Sequence, residues 1–310
     1  MSTIIATVPR EYEIESHTGL HALLSLLEAD ASLFLPGQMR KRLSALDRLD
    51  AGFGGFDCED STRYEYPYLH RRAKALRIRL ETVNVEFYQS VRSDILHGGY
   101  PRAPLQWLKD SASDNEPEKL LPGLGFDYRD ELVSGVLQLL EPLLEPSEPN
   151  LQPSPEMVPY QPTPVRHILH LIAAATVTEE DVFVDLGSGL GHVPLLVSMI
   201  TGASSLGIEM QPAYVLSARE CAQSLQLSRV QFIAQDAREA DLSRGTVFYL
   251  YSPFKGSILA DVLGALRRES MHRSIKICSL GPCTHRVSNE TWLKTSELSD
   301  AGYITVFDSL

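Results

Sequence analysis

The chain has 310 residues, of which 44% are hydrophobic and 22% are charged, and its formal net charge at neutral pH is −12. This composition is typical of an ordinary folded protein and excludes collagen-like, coiled-coil and wholly disordered chains. Acidic residues outnumber basic ones both before and after residue 160, which argues against a broad surface for nucleic acid. No apolar run approaches the roughly 18 residues of a membrane span, so we expect no membrane partner.

The four cysteines are spread along the chain, at Cys58, Cys221, Cys278 and Cys283, and none of them forms a Cys-x-x-Cys pair. Such sparse cysteines predict neither a disulfide framework nor a metal site. We therefore expect a reducing compartment, the cytoplasm.

The chain before residue 140 has mainly helical periodicity. Leu20, Leu23, Leu24 and Leu27 repeat at helical spacing, and further helices are predicted over Tyr68–Leu96 and Asp130–Leu144. Between them, Gln38–Leu49 contains a basic run of Arg40, Lys41 and Arg42. The longest predicted helix carries one apolar stripe, made of Leu69, Ala73, Leu76, Leu80, Val83, Phe87, Val91 and Ile95, which predicts an amphipathic helix. Gly52–Phe56 and the acidic stretch Ser111–Glu118 are predicted loops.

The same long helix carries the densest basic run of the chain, composed of Arg71, Arg72, Lys74, Arg77 and Arg79. On a helix with an apolar opposite face, such a run predicts a solvated surface. The alternative is contact with an acidic partner or selection of a substrate.

The stretch from Glu141 to Pro164 contains eight prolines, which fix φ and remove backbone donors, so it predicts neither a regular helix nor a central strand. We interpret it as a boundary between two domains. Residues 1–155 are predicted to form a mainly α-helical N-terminal domain that recognises the substrate, and residues 156–310 a second domain.

The second part alternates short apolar runs with helical segments. The predicted strands are Val182–Leu186, Ser205–Glu209, Val230–Ala234, Val247–Tyr251, Ile275–Leu280 and Tyr303–Asp308, with helices over Pro164–Ala175 and from His192, Pro212 and Gly256. This alternation predicts an α/β fold of the Rossmann-like kind, a mostly parallel sheet with helices on both faces.

The first predicted strand runs into Asp185-Leu186-Gly187-Ser188-Gly189-Leu190-Gly191-His192. Glycines at a strand-to-helix turn let a ligand approach the backbone donors at the start of the helix. A dinucleotide site would place a glycine at His192. Because it is absent and an acid precedes the glycines, the pattern disfavours NAD.

This run resembles the first motif of the class I, seven-strand S-adenosylmethionine-dependent methyltransferases. Glu209 follows Asp185 by 24 residues, at the end of the second strand, where a carboxylate can accept hydrogen bonds from both ribose hydroxyls. The resemblance covers about half of the chain and implies S-adenosyl-L-methionine as the cofactor, with Asp236 near the adenine amino group and His192 at the helix start rather than as a base. It implies cofactor contacts by Tyr160, Thr163, Asp185, Gly187, Ser188, Gly189, Gly191, Glu209, Met210, Asp236 and Ala237.

A narrower resemblance links residues 181–210 to the non-SET histone-lysine methyltransferases of the disruptor-of-telomeric-silencing type. In place of that family's Asn-rich segment after the fourth strand, this chain has Tyr251-Ser252-Pro253-Phe254. We expect Tyr251, Ser252 and Phe254 to surround the acceptor, which is favoured to be a protein side-chain amine similar to lysine. The alternatives are a small-molecule N- or O-methyl acceptor and a non-catalytic cofactor-binding module, and the oligomeric state is left open.

Overall fold

The computed structural model describes residues 17–54, 66–98, 108, 127–139, 155–295 and 303–310. The chain divides into two compact units, one of Met1–Ser90 with Lys109–Ser113 and one of Val91–Leu108 with Asp114–Leu310. This division falls earlier in the chain than the proline-rich segment, so the separate roles given to residues 1–155 and 156–310 stay a prediction.

Helices build the first unit, as its periodicity predicts. Helix α1 covers His17–Ala29, a short 3₁₀ helix covers Ala31–Phe34, α2 covers Met39–Phe53, and α3 covers Pro67–Leu96 and continues into the residues of the second unit. The predicted leucine repeat of α1 is buried in full, and the core adds residues from α2 and the first turns of α3. The predicted loop at Gly52 is wrong in its first residues, because Phe53 is buried and extends α2 to Gly54, a left-handed cap.

The apolar stripe of α3 shifts along the helix. Leu69 to Leu80 are buried as predicted, but Asn84 and Tyr88 are buried in the next turns, where Val83 and Phe87 are only partly covered. Asn84 is buried because its side-chain oxygen accepts a 2.6 Å hydrogen bond from Nε of Arg42. Arg42, which belongs to a basic run of the sequence, is itself fully buried.

The basic run of α3 is largely engaged within its own unit. Arg72 pairs with Glu28 at 2.6 Å, Arg77 pairs with Glu81 at 2.8 Å, and the guanidinium of Arg79 lies 4.5 Å from the ring centre of Phe34. These contacts account for much of the run without a partner, and a partner contact stays a prediction.

The second unit contains a seven-stranded sheet in the order β3-β2-β1-β4-β5-β7-β6. The strands are β1 Val182–Leu186, β2 Ser204–Glu209, β3 Val230–Ala234, β4 Val247–Leu250, β5 Lys276–Ser279, β6 Leu293–Lys294 and β7 Thr305–Ser309. The pairings from β3 to β5 are parallel, and β7 is antiparallel to both β5 and β6. This confirms the predicted mostly parallel α/β fold, although the two-residue strand β6 was not predicted.

Helices connect and cover the strands. They are α4 Tyr128–Leu137, α5 Val165–Ala175, α6 His192–Thr201, α7 Pro212–Ser224, α8 Gly256–Ser270 and the short α9 Cys283–Ser288. The predicted helix Asp130–Leu144 is thus shorter at its end, because Gln138 is left-handed. It begins earlier because Asp127 and Asp130 form a capping box.

Several predictions fall outside the described residues, namely the loop Ser111–Glu118, Cys58 and the proline-rich segment up to residue 154. Within the described ranges, no helix is long and apolar enough to cross a membrane.

Candidate active site

A cavity of about 1170 Å³ lies at the carboxyl edge of the sheet, beside the point between β1 and β4 where the strand order reverses. Ligands of open α/β sheets bind at such a reversal. Residues after β1, β2 and β3 line one side, which we call the cofactor half, and residues after β4 and β5 line the acceptor half. Residues 156–163, which we call the strap, run along both halves.

Most of the predicted site residues line this cavity. They are Tyr160, Thr163, Asp185, Gly187, Ser188, Glu209, Met210, Asp236, Ala237, Tyr251, Ser252 and Phe254. Gly189 and Gly191 belong to the same glycine loop but are not among the lining residues. The structure thus brings the predicted residues together, while the contact assigned to each of them stays a prediction.

Gly189 shapes the glycine loop through its backbone. Its φ is +51°, and a Cβ at this position would overlap the ring of Tyr160 from the strap. Its N–H donates a 2.9 Å hydrogen bond to Oε2 of Glu209. Glycine is therefore required both by the left-handed backbone and by the ring packed on it.

Asp185 is a buried carboxylate at the end of β1, with 3% of its surface exposed. Among the residues that the structure describes, none donates a hydrogen bond to this carboxylate. Burial, and secondarily the charge of Glu209, raises the pKa of Asp185 well above its ordinary value. A cation beside Asp185 would reverse this effect, because it would favour the ionised form.

Glu209 ends β2 and faces the cavity with partly satisfied oxygens. Besides the bond from Gly189, its Oε1 accepts the N–H of Gln211 at 2.9 Å. Each carboxylate oxygen has two acceptor positions, so each can accept one further hydrogen bond from a ligand hydroxyl.

Asp236 lines the cavity after β3, but its carboxylate is engaged by a neighbour. Nη2 of Arg238 donates a 2.7 Å hydrogen bond to Oδ2, and the N–H of Arg238 donates one of 2.9 Å to Oδ1. These hydrogen bonds from Arg238 lower the pKa of Asp236. An adenine contact by Asp236 would therefore share the carboxylate with Arg238.

Tyr160 reaches from the strap to the first residue of α6. Its hydroxyl lies 3.1 Å from Nδ1 of His192, and its ring centre lies 5.3 Å from that of Tyr214. Burial lowers the pKa of His192 to about 4, so at neutral pH the imidazole is uncharged. His192 therefore joins the strap to the glycine loop as a neutral hydrogen-bond partner.

Tyr249 is a lining residue that the sequence analysis missed. Its hydroxyl lies 3.2 Å from Oγ1 of Thr163, which fixes the far end of the strap to β4, and it pairs with Asp185 in the sheet register. Burial raises its pKa well above the ordinary value. The signal was present in the sequence, because Tyr249 and Tyr251 are two positions apart in the predicted strand Val247–Tyr251 and would therefore share one face.

Ser252 holds the loop after β4 to the loop after β5. Its hydroxyl donates to the carbonyl of Leu280 at 3.1 Å and accepts the N–H of Cys283 at 3.0 Å. Its φ of +43° is unusual for a residue other than glycine. The hydroxyl proton is thus committed to the protein, and the expected place of Ser252 beside the acceptor stays a prediction.

Tyr251 and Phe254 form aromatic parts of the acceptor half. The hydroxyl of Tyr251 is buried without a hydrogen-bond partner, and burial raises the pKa of Tyr251. Phe254 is 7% exposed. The charged residues that line this half are Lys255 and Arg286, and no carboxylate of the described residues lines it.

Comparison with protein families identifies residues 158–249, from the strap to β4, as a match to the model described as histone methylation protein DOT1. In this region the chain has the fold of a class I S-adenosylmethionine-dependent methyltransferase. The strand order reverses between β1 and β4, and Gly187, Ser188 and Glu209 line the cavity beside that reversal. The match covers part of the chain only. A search of curated proteins gives no significant match.

Solved structures similar to the methyltransferase domain include enzymes with different acceptors. An RNA methyltransferase from Salinibacter ruber, in complex with S-adenosyl-L-homocysteine, is 27% identical over 48% of this chain and 92% of that one, with a TM-score of 0.40. TrmN from Thermus thermophilus is 17% identical over 46% and 48%, with a TM-score of 0.37. Precorrin-6y C5,15-methyltransferase from Geobacter metallireducens is 15% identical over 50% and 92%, with a TM-score of 0.38.

The residues of the cofactor half fit S-adenosylmethionine. This cofactor carries a sulfonium, an α-ammonium and a ribose, and the half offers the unpaired buried carboxylate of Asp185 and the free acceptor positions of Glu209. The buried hydroxyl of Ser188 lacks a hydrogen-bond partner and lines the same half. Unpaired buried polar atoms are costly in a native protein, and a polar cationic ligand supplies what these atoms lack.

Proposed function

We propose that the methyltransferase acts on a protein side-chain amine similar to lysine. The match of residues 158–249 to a histone methylation family supports this acceptor. The overall acidic charge favours a protein over a nucleic acid as the partner. The helical N-terminal part is proposed to recognise this protein, and the cytoplasm stays the proposed compartment.

The observation that carries the proposal is the absence of a base from the described lining of the acceptor half. A hydroxyl acceptor must lose a proton during attack, which requires a positioned base. His192 lies in the cofactor half and is engaged with Tyr160. A neutral amine already has a lone pair and needs no base.

The acceptor half also favours the neutral form of an amine. Apolar walls such as Phe254 and Pro253 disfavour a charged group, and the cations Lys255 and Arg286 act in the same direction. A lysine, with an ordinary pKa of about 10.4, therefore releases its proton to water on entering. In this proposal the oxygen of Tyr251 accepts an amine N–H, and its raised pKa keeps it a neutral phenol.

Bound S-adenosylmethionine supplies the methyl group, which is activated by the positive sulfur. Methyl transfer is an in-line displacement, so the protein contributes alignment and the exclusion of water. In this account the strap closes over the cofactor half, and Tyr251 and Phe254 align the acceptor.

The test is incubation of the purified chain with methyl-labelled S-adenosylmethionine and a cell lysate, which is then separated into protein, nucleic-acid and small-molecule fractions. We expect label in the protein fraction and, after acid hydrolysis, in methylated lysine. The variant Glu209→Ala serves as the unlabelled control. Label in small molecules, or in base-labile esters of protein, would contradict the proposal.

A small-molecule acceptor is the second candidate, favoured by the acidic charge of the chain and by the lack of an Asn-rich segment after β4. The histone-lysine enzymes that the sequence resembles carry an Asn-rich segment at this place, whereas Ser252 donates its proton to Leu280. Label confined to the small-molecule fraction would select this alternative. A non-catalytic module would bind the cofactor without transferring label to any fraction.

A further inference from the structure

Glu156 is the first residue of the strap and contacts the loop after β4 through its backbone. Its carbonyl accepts the N–H of Lys255 at 2.8 Å, and the N–H of Val158 donates to the carbonyl of Pro253 at 3.1 Å. An antiparallel bridge pairs Met157 with Phe254. Backbone hydrogen bonds therefore join the strap to residues 251–256, which we call the acceptor loop.

The carboxylate of Glu156 extends this contact to helix α8. Its Oε2 accepts the hydroxyl of Ser257 at 2.7 Å and the N–H of Ile258 at 3.1 Å. Both donors lie in the first turn of α8, where backbone N–H groups lack partners within the helix. One carboxylate thus fixes the strap to the helix that begins directly after the acceptor loop.

Gly256 makes room for this carboxylate. Its φ is +59°, and a Cβ built on it would overlap the carboxylate of Glu156. Both the backbone conformation and the close approach require glycine at this position. Glu156 and Gly256 are distant in sequence but serve the same contact, since one supplies the carboxylate and the other leaves room for it.

We propose that Glu156 is a positioning residue that couples the acceptor loop to the cofactor strap. Glu156 does not line the cavity, while the strap residues that follow it do. The far end of the strap carries Tyr160 on the glycine loop and Thr163 on Tyr249. Loosening Glu156 therefore alters both halves at once, through backbone that other residues share.

The test compares Glu156→Ala, Glu156→Gln and Gly256→Ala with Glu220→Ala, a change at an exposed glutamate of α7. The first measurement is amide hydrogen exchange in residues 157–163 and 251–258. The second is the affinity for S-adenosylhomocysteine. In Glu156→Ala we expect exchange about tenfold faster in both segments and an affinity about fivefold lower, since two hydrogen bonds to a charged group are lost.

Glu156→Gln is expected to restore both quantities nearly to wild type, because its side-chain oxygen can accept the same two hydrogen bonds. Gly256→Ala retains the carboxylate but displaces it, so we expect it to resemble Glu156→Ala. Glu220→Ala should match wild type. Once the acceptor protein is identified, Glu156→Ala should lower kcat for its methylation at saturating cofactor. Glu156→Gln should restore kcat nearly to the wild-type value.

Exchange that rises in the strap alone, or a Glu156→Ala protein with wild-type affinity and exchange, would overturn the proposal. If Glu156→Ala does not fold, Gly256→Ala still decides the matter. The acceptor assignment of the proposed function bears on the kcat readout only. Coupled changes in exchange and affinity without methylated protein would therefore remove that assignment and leave the role of Glu156 standing.

Discussion

The two halves of the cavity differ in how their polar groups are satisfied. In the cofactor half, Asp185 is a buried carboxylate without a donor among the described residues, and Glu209 keeps free acceptor positions. In the acceptor half, Ser252 is committed to two backbone groups, and the charged lining residues are Lys255 and Arg286.

Under the proposed function, this difference means that the two substrates are selected by different physical effects. The cofactor half is electrostatically incomplete until a cation with ribose hydroxyls binds. The acceptor half is apolar and mildly cationic, so it favours a neutral group and contributes shape rather than charge.

The largest effect is expected for Glu209→Ala, which removes the predicted acceptor of both ribose hydroxyls. Two charge-assisted hydrogen bonds of about 1.5 kcal/mol each correspond to a roughly hundredfold loss of affinity for S-adenosylmethionine. Calorimetric titration measures this loss, with Glu220→Ala as the control. An affinity equal to that of wild type would remove Glu209 from the site.

Asp185→Asn is expected to lower the affinity about tenfold and to abolish its pH dependence. In the free protein the pKa of Asp185 is raised, and the cofactor's α-ammonium would favour the ionised form. Binding therefore releases a proton, and affinity rises with pH toward the raised pKa. The measurement is calorimetry between pH 5 and 7 in two buffers of different ionisation enthalpy.

The raised pKa of Asp185 affects stability and cofactor affinity in opposite directions, because stability falls with rising pH whereas affinity increases. Because the folded-state pKa is above the unfolded value, Asp185 contributes most to the free energy of unfolding at low pH, and this contribution is lost as pH rises through the raised pKa. Asp185→Asn should remove that slope. A buffer-independent binding enthalpy in wild type would contradict the role of Asp185. The titratable groups that interact with Asp185 are Glu209, whose charge adds to the rise in its pKa, and Tyr249, whose own pKa the charge of Asp185 helps to raise.

Tyr251→Phe tests the acceptor half alone. It removes a buried hydroxyl that has no partner, so the protein should be as stable as wild type or more stable by about 1 kcal/mol. We expect the affinity for the cofactor to be unchanged. With the acceptor protein as substrate, kcat should be about fivefold lower, consistent with one lost hydrogen bond. Thermal unfolding, calorimetry and steady-state kinetics check these three outcomes, and a fall in cofactor affinity would refute the division into halves.

The smallest effect is expected for Tyr160→Phe, which keeps the ring on Gly189 but loses the bond to His192. A neutral hydrogen bond contributes about 0.5–1.5 kcal/mol, so the cofactor affinity should fall about threefold. Tyr160→Ala, which also removes the ring, should cost more. Equal affinities for the two variants would show that the ring does not contribute.

The residues of the cofactor half could be predicted from the sequence because short-range patterns determine their positions. Strands β1 and β3 have the predicted bounds, since each is a compact apolar run that ends at an acid or a turn. Asp185 and Glu209 end adjacent parallel strands, so the fold brings them to one edge. The glycine loop follows from the same strand.

The contacts of the acceptor half and the strap were harder to predict, because they join residues that are distant in the sequence. The engagement of Ser252 depends on Leu280 and Cys283, and the role of Glu156 depends on Ser257 and Ile258. The proline-rich segment that contains Glu156 predicted only a boundary between domains. Likewise, Arg42 is buried because carbonyls of Leu33, Leu35 and Pro36 accept its hydrogen bonds, which no periodicity reveals.

A crystal structure with S-adenosylhomocysteine would test the central claim most directly. The account predicts its ribose on Glu209, its amino group beside Asp185 and its sulfur directed toward Tyr251. A ligand bound elsewhere, or a ribose that avoids Glu209, would contradict it.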